Sequence, residues 1–329
     1  MKRVVWVKRV VWASCLFIGI HSCSEEKELD TRINNVLEKT QTIAARQQAL
    51  TLFTTPWNSR TPGRTQPFGE GSEMGLYITS GKTGEVYKGI EAYKRQKAVA
   101  MSENGRLRWT LQEPVYLDSE PVLVYAYSPY PAERPDQASE TFRSSVDPAH
   151  LPLRISPDAS QTPSYRYGTH SVGQKEVNGR SPVALLTMKH ALSFISFRIA
   201  QASETQGSFL LEAVEIGNQG EACALWGEGM LDITTGQIAR TTPLARPTRL
   251  TLPEPLLLTS AYSEELLLKV IPTEGPIQAE TVEACFFINQ KPYFFSLPAS
   301  ARWKKGYTYA YQLLFQDHTL RLTQTTIGK

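Results

Sequence analysis

The residues able to do chemistry are few and scattered. Histidines stand at positions 21, 150, 170, 190 and 318. No two of them share the HxH or HExxH spacing that brings paired imidazoles to one ion, so metal ligation has no foothold. His190 precedes an alternating apolar run and reads as a hydrogen-bonded structural residue rather than a base. Ser171 follows His170, but adjacency in sequence does not make a nucleophile–base pair, and there is no GxSxG elbow. The GxxxxGK[ST] phosphate loop and the Asp-rich calcium loop are missing as well. Acidic pairs such as Glu264-Glu265 sit at a turn before a strand and read as solvated charges. The expectation is a protein that is not an enzyme, with no cofactor and no metal. Two of the four cysteines, Cys223 and Cys285, fall in the body of the chain beside the apolar runs CALW and CFFI. Free cysteine is among the most buried residue types, so two buried thiols are expected, with a disulfide as the alternative in an oxidising compartment. Tyr125, Tyr127 and Tyr130 are spaced as half-buried packing residues of a strand; the alternative is a stacking platform for glycan.

The remaining two cysteines lie at the N-terminus. Lys2, Arg3, Lys8 and Arg9 precede the uncharged run Val10–Ile20. Its 11 residues are too few to span a bilayer, which takes about 20. Basic flank and short apolar run read together as a signal peptide, residues 1–22, to be set aside before the fold is considered. Cys15 lies inside it, and Cys23 follows Ser22 directly. That arrangement resembles a bacterial lipobox, with cleavage before Cys23 and acylation of its thiol. Each buried methylene adds about 0.8 kcal/mol, so several acyl chains hold a domain on a membrane where one would not. Residues 23–48 are polar, with weak helical spacing at Leu29, Ile33, Val36 and Leu37, and read as a tether or propeptide.

Composition narrows the class. The chain has 329 residues with 35 Lys+Arg against 32 Asp+Glu, and removing the four basic residues of the signal leaves 31 against 32. The slight basicity therefore belongs to export, and no clustered basic surface for nucleic acid is expected. At 41% hydrophobic residues the chain can bury a sizeable core.

The body reads as strands punctuated by turns. Apolar or alternating runs appear at 49–54, 74–79, 106–111, 121–127, 192–199, 209–216, 229–233, 248–252, 265–271, 282–288, 292–297 and 307–315, with a last one opening at Leu320. Gly, Pro, Asn and Ser cluster between them, as turns require. No amphipathic helix of the length that a parallel α/β sheet demands follows residue 48. Residues 131–182 are the weakest in pattern and are expected to hold long loops, a short strand near Tyr165–Tyr167 and the approach to a domain boundary.

Seven segments in this order resemble the fimbrillin family of Bacteroidetes: FGEGSEMGLYI (68–78), VLVYAYSPY (122–130), YRYGTHSV (165–172), LLTMKHALSFISFRI (185–199), LLEAVEIGN (210–218), INQKPYFFSLP (288–298) and WKKGYTYAYQLLF (303–315). The most specific are Met188 to Ser193 leading into an alternating strand, and Gly306-Tyr307-Thr308-Tyr309 entering the last long one. The resemblance implies an all-β protein of two tandem transthyretin-like, Ig-like Greek-key β-sandwich domains, here 49–182 and 183–329. It implies a surface-exposed outer-membrane lipoprotein that becomes a fimbrial subunit. The acidic stretch Ser24 to Glu28 is similar to a surface-export signal, with a solvated tether as the alternative reading. An Arg-directed protease would cut after Arg60 or Arg64, or else Arg46, and take away the strand near 49–54. The vacated groove would accept a strand from the next subunit, and Leu320, Leu322 and Ile327 of the tail are the candidate donors. Expected partners are other fimbrial subunits, the outer membrane through the lipid, and a host protein or glycan. The tail ends soon after Ile327, a departure that leaves a tip or anchor subunit, or a glycan-binding lipoprotein that does not polymerise, as the alternative.

Overall fold

The computed structural model describes residues 48–54, 68–103, 106–130, 147–273 and 275–328. Among these the regular elements are β-strands and three short 3₁₀ turns, so the all-β expectation holds. The expected tether 23–48, with its possible helix, lies outside the described residues except for Gln48.

The first core is a closed sheet of seven strands. Its members are β1 (Thr51–Thr54), β2 (Glu73–Ser80), β3 (Gln96–Glu103), β4 (Arg106–Leu111), β5 (Val122–Ser128), β7 (Arg166–His170) and β8 (Val183–His190). The order round the ring is β8-β1-β4-β3-β2-β5-β7, with β7 returning to β8. A ring with an odd number of strands cannot be antiparallel throughout. The one parallel seam falls between β1 and β8, running from Thr51 opposite Val183 to Thr54 opposite Leu186. Period-two alternation fills the interior: Leu52, Met74, Leu76, Ile78, Ala98, Val124, Ala184 and Leu186 are fully buried. Gly168 of β7 lies where strand backbones approach closely, since a Cβ there would sit 2.2 Å from the Thr187 carbonyl oxygen of β8.

The second core is built from three further sheets. Strands β9 (Ser193–Gln201), β14 (Leu266–Val270), β17 (Thr308–Gln316) and β18 (Thr319–Gly328) form one, in the order β14-β9-β17-β18. Strands β10 (Leu210–Asn218), β13 (Thr248–Leu257), β15 (Val282–Ile288) and β16 (Lys291–Ser296) form the second, in the order β13-β10-β15-β16. These two face each other: the Phe197 ring of β9 meets Phe286 of β15 edge-on at 5.3 Å, and Trp303 Nε1 donates to Tyr311 Oη at 3.0 Å in the interior. The third sheet is β12 (Ile238–Pro243), β11 (Trp226–Asp232) and β6 (His150–Arg154).

Strand β8 starts at Val183, where the second domain was expected to begin, yet it closes the first ring. Conversely, β6 precedes that position but pairs with β11 in the second core, Leu151 opposite Leu231. Periodicity marks a strand but not its partner, so the expected boundary at 182/183 does not follow the way β6 and β8 are shared between the two cores. The expected strand at Tyr165–Tyr167 is present as β7, slightly later than expected. Cys285 is buried as expected, but Cys223 is exposed and both are free. Cys223 sits in the turn between β10 and β11, where its thiol donates to the Glu221 carbonyl at 3.7 Å, so no strand face carries it inward.

Candidate functional site

Two strands at opposite ends of the chain share an unusual position. Strand β1 is a short segment wedged between β4 and β8, partners about 55 and 130 residues away in sequence. Its pattern Ala49-Leu50-Thr51-Leu52-Phe53-Thr54 alternates, so Leu50 (6% exposed) and Leu52 (0%) point into the first core. Leu50 N donates to the Val115 carbonyl and Thr51 N to the Pro182 carbonyl, both at 2.8 Å. Around Leu52 lie its neighbours in register, Trp109 of β4 and Ala184 of β8, both buried. Trp109 Nε1 in turn donates to Thr54 Oγ1 at 3.3 Å. Without β1, the facing edges of β4 and β8 would hold unpaired N–H and C=O groups above an apolar slot, the template that strand addition recognises.

Strand β18 is the converse. Among the described residues it pairs on one side only, with β17, from Thr319 opposite Gln316 to Gly328 opposite Thr308. Leu320 is partly buried, Leu322 is 39% exposed and Ile327 is 61% exposed. The spacing from Leu322 to Ile327 is odd, which in a regular strand would send them to opposite faces. A β-bulge at Thr323 removes that difference. Leu320, Leu322 and Ile327 then lie opposite Phe315, Leu313 and Tyr309, all three buried, so the donor candidates share one face. Thr323 is pinned by its Oγ1 donating to the Gln312 carbonyl at 3.0 Å and by Tyr262 Oη at 2.7 Å.

Cys23, Arg46, Arg60 and Arg64 lie outside the described residues. The histidines that are described stay apart. His170 Nε2 accepts from the Val124 N–H at 3.2 Å, and burial lowers its pKa. His190 is 3% exposed with its ring edge-on to Phe194 at 5.0 Å. His150 pairs with Asp147 at 2.8 Å, and His318 stacks on Tyr293 in the turn between β17 and β18. Among the described residues no group of three or more His, Cys, Asp or Glu converges as an ion's ligands would. The three tyrosines divide: Tyr127 is buried, Tyr125 stacks on Tyr77 at 6.1 Å, and Tyr130 opens onto a surface cavity. The sequence marks the slot partner β8 only from Leu185 onward, inside the segment 185–199; its burial alternates, but Val183 to Leu186 are all apolar, so no period of two is visible there in the sequence.

The fold and these two strands define an all-β protein organised around strand pairing, with no catalytic constellation among the described residues. The chain belongs to the fimbrillin-like family, whose model matches residues 59–329. This membership places it with structural proteins of the cell-surface fimbria rather than with enzymes. Solved structures agree on the fold. A fimbrial protein of Bacteroides vulgatus superposes with a TM-score of 0.56 at 12% identity, covering 85% of this chain and 98% of its own. A candidate cell-adhesion protein of Bacteroides ovatus gives 0.58 at 13% identity, over 86% and 98%. One from Bacteroides uniformis gives 0.55 at 14%, over 86% and 99%. No curated protein matches this sequence.

Proposed function

We propose that this chain is a fimbrial subunit exported as an outer-membrane lipoprotein acylated at Cys23, and that it assembles by strand exchange in support of adhesion. Proteolysis after Arg60 or Arg64 releases β1, and the tail of a neighbouring subunit takes its place. Cleavage after Arg46 would leave β1 on the downstream fragment, because Arg46 precedes Thr51. The observation that carries the reading is the wedge position of β1. It is the one strand whose loss opens the ring between β4 and β8 at the parallel seam, and the family match begins at residue 59, beyond it. The tail suits the slot: Leu320 and Leu322 repeat the two-residue spacing of Leu50 and Leu52. Burying a leucine contributes about 1.5–3 kcal/mol, so two anchors and restored main-chain hydrogen bonds make exchange favourable.

A second reading has its own support. Strand β18 is committed to its own sheet along its whole length, as suits a tip or anchor subunit that remains tied through Cys23 and donates no strand. N-terminal sequencing of the protein sheared from cells separates the two. A start at Thr61 or Thr65 supports polymerisation, and a blocked, acylated Cys23 rejects it in favour of the anchor.

A further inference from the structure

Two hairpins of the second core turn at residues held in the left-handed region without glycine. Between β15 and β16 these are Asn289 (φ 50°) and Gln290 (φ 63°); between β17 and β18 they are Asp317 (φ 48°) and His318 (φ 58°). Such a backbone matches the twist of a two-residue hairpin but is disfavoured for a residue with a Cβ, least for Asn, Asp and His. The two turns are held down differently. Asn289 is fastened to the entry of β10: its N–H donates to the Leu210 carbonyl at 2.9 Å, its Oδ1 accepts the Leu210 N–H at 2.8 Å, and its Nδ2 donates to the Ser208 carbonyl at 2.9 Å. Among the described residues, the side chains of Asp317 and His318 make one hydrogen bond, between His318 Nδ1 and Tyr293 Oη at 3.3 Å. The second turn relies on rings instead. The imidazole stacks on Tyr293 at 6.2 Å and 15°, and stands edge-on to Phe209 at 5.8 Å and to Phe315 at 6.1 Å. Phe315 in turn meets Tyr293 at 5.0 Å and Phe209 at 4.9 Å, so the four rings form one cluster.

Phe209 and Phe315 are buried in the second core, whereas His318 is exposed and caps them. The strand that follows adds little side-chain burial: Leu320 is partly buried, Leu322 is 39% exposed and Ile327 is 61% exposed. From Thr319 to Gly328 it has no aromatic residue, so the turn supplies the ring contacts that the strand itself lacks. Without the imidazole contacts, the left-handed backbone at Asp317 and His318 is no longer offset. Both residues then relax toward extended φ, which straightens the hairpin that keeps β18 against β17. Unseating the ring and opening the hairpin are thus coupled. We infer that His318 is a latch: its ring, seated on Phe209, Tyr293 and Phe315, holds β18 folded back on β17, and its departure frees the strand. That the freed strand is the one given to a neighbouring subunit rests on assembly by strand exchange.

Amide hydrogen exchange on the full chain tests the latch. His318→Asn keeps a residue that tolerates the left-handed turn and removes the ring. It should speed exchange of the amides from Leu320 to Ile327 about tenfold, as loss of an aromatic pair does, and leave those of β10 and β15 at the wild-type rate. Tyr293→Leu removes the stacking partner from β16 and should act in the same way. The double variant should fall short of the product of the two single effects, because both delete one contact. Unchanged exchange in β18, an acceleration spread evenly through the second core, or independent effects of the two substitutions overturns the latch. After Arg-specific cleavage, His318→Asn should form polymer ladders sooner than the wild type. Ladders that form no sooner although β18 opens faster remove the latch from assembly. If β18 opens faster and no protein forms ladders, wild type included, the latch stands and strand donation by β18 falls.

Discussion

Cys285 is 7% exposed in β15, and burial together with the Glu215 and Glu283 carboxylates pushes its thiol up to about 11. Cys223 lies exposed in a turn. Of these two, alkylation of the folded chain at neutral pH should therefore modify only Cys223, with Cys285 reacting after denaturation; mass spectrometry of the two peptides reads both. Neutral His170 belongs to the same scale. Its Nε2 accepts the Val124 N–H, and burial holds its pKa below the ordinary value near 6.5. Protonation is thus easier in the unfolded chain. The contribution is complete above about pH 6.5 and is lost as pH falls through the lower folded-state value. Melting temperature should drop on acidification through that window, and His170→Gln should reduce the slope.

At the scale of the element, β1 and β18 differ in what their leucines do. Leu52 is fully buried between Trp109 and Ala184, so Leu52→Ala leaves a cavity and should cost about 2–5 kcal/mol of stability. Leu322 is 39% exposed, and Leu322→Ala should cost well under half as much in the isolated chain. Denaturant unfolding measures both. If the tail serves as donor, the order reverses in the assembled fibre, where Leu322 enters the slot and Leu52 has gone with the cleaved segment.

For the whole molecule, two cores contributed by one chain make a body whose first ring can open at a single seam. Removal of the tail beyond Gln316 takes away an edge strand that buries little, so the monomer should keep its fold. The same truncation should abolish ladders of polymer on denaturing gels after Arg-specific cleavage. Persistent ladders would show that another strand acts as donor.

Much of the chain was legible in its sequence because strand periodicity and turn chemistry are local. The runs at 74–79, 121–127, 192–199, 209–216, 282–288 and 307–315 all lie within or overlap strands of the structure. The lack of paired histidines and catalytic elbows likewise needs no tertiary information. Which strands join was not legible. Neither the parallel seam between β1 and β8 nor the passage of β6 into the second core leaves a mark in hydrophobic pattern, since a period of two looks the same whatever the neighbour. The surface cavity at Tyr130 draws on residues from 68 to 166, joined only when β2, β5 and β7 pair. The shared face of Leu322 and Ile327 depends on a one-residue bulge at Thr323. By itself the sequence determined that the chain would be all-β and marked which side chains alternate. Tertiary pairing alone decided which strand bridges the ring and which lies open at an edge, because hydrogen bonds between strands are set by neighbours far apart along the chain.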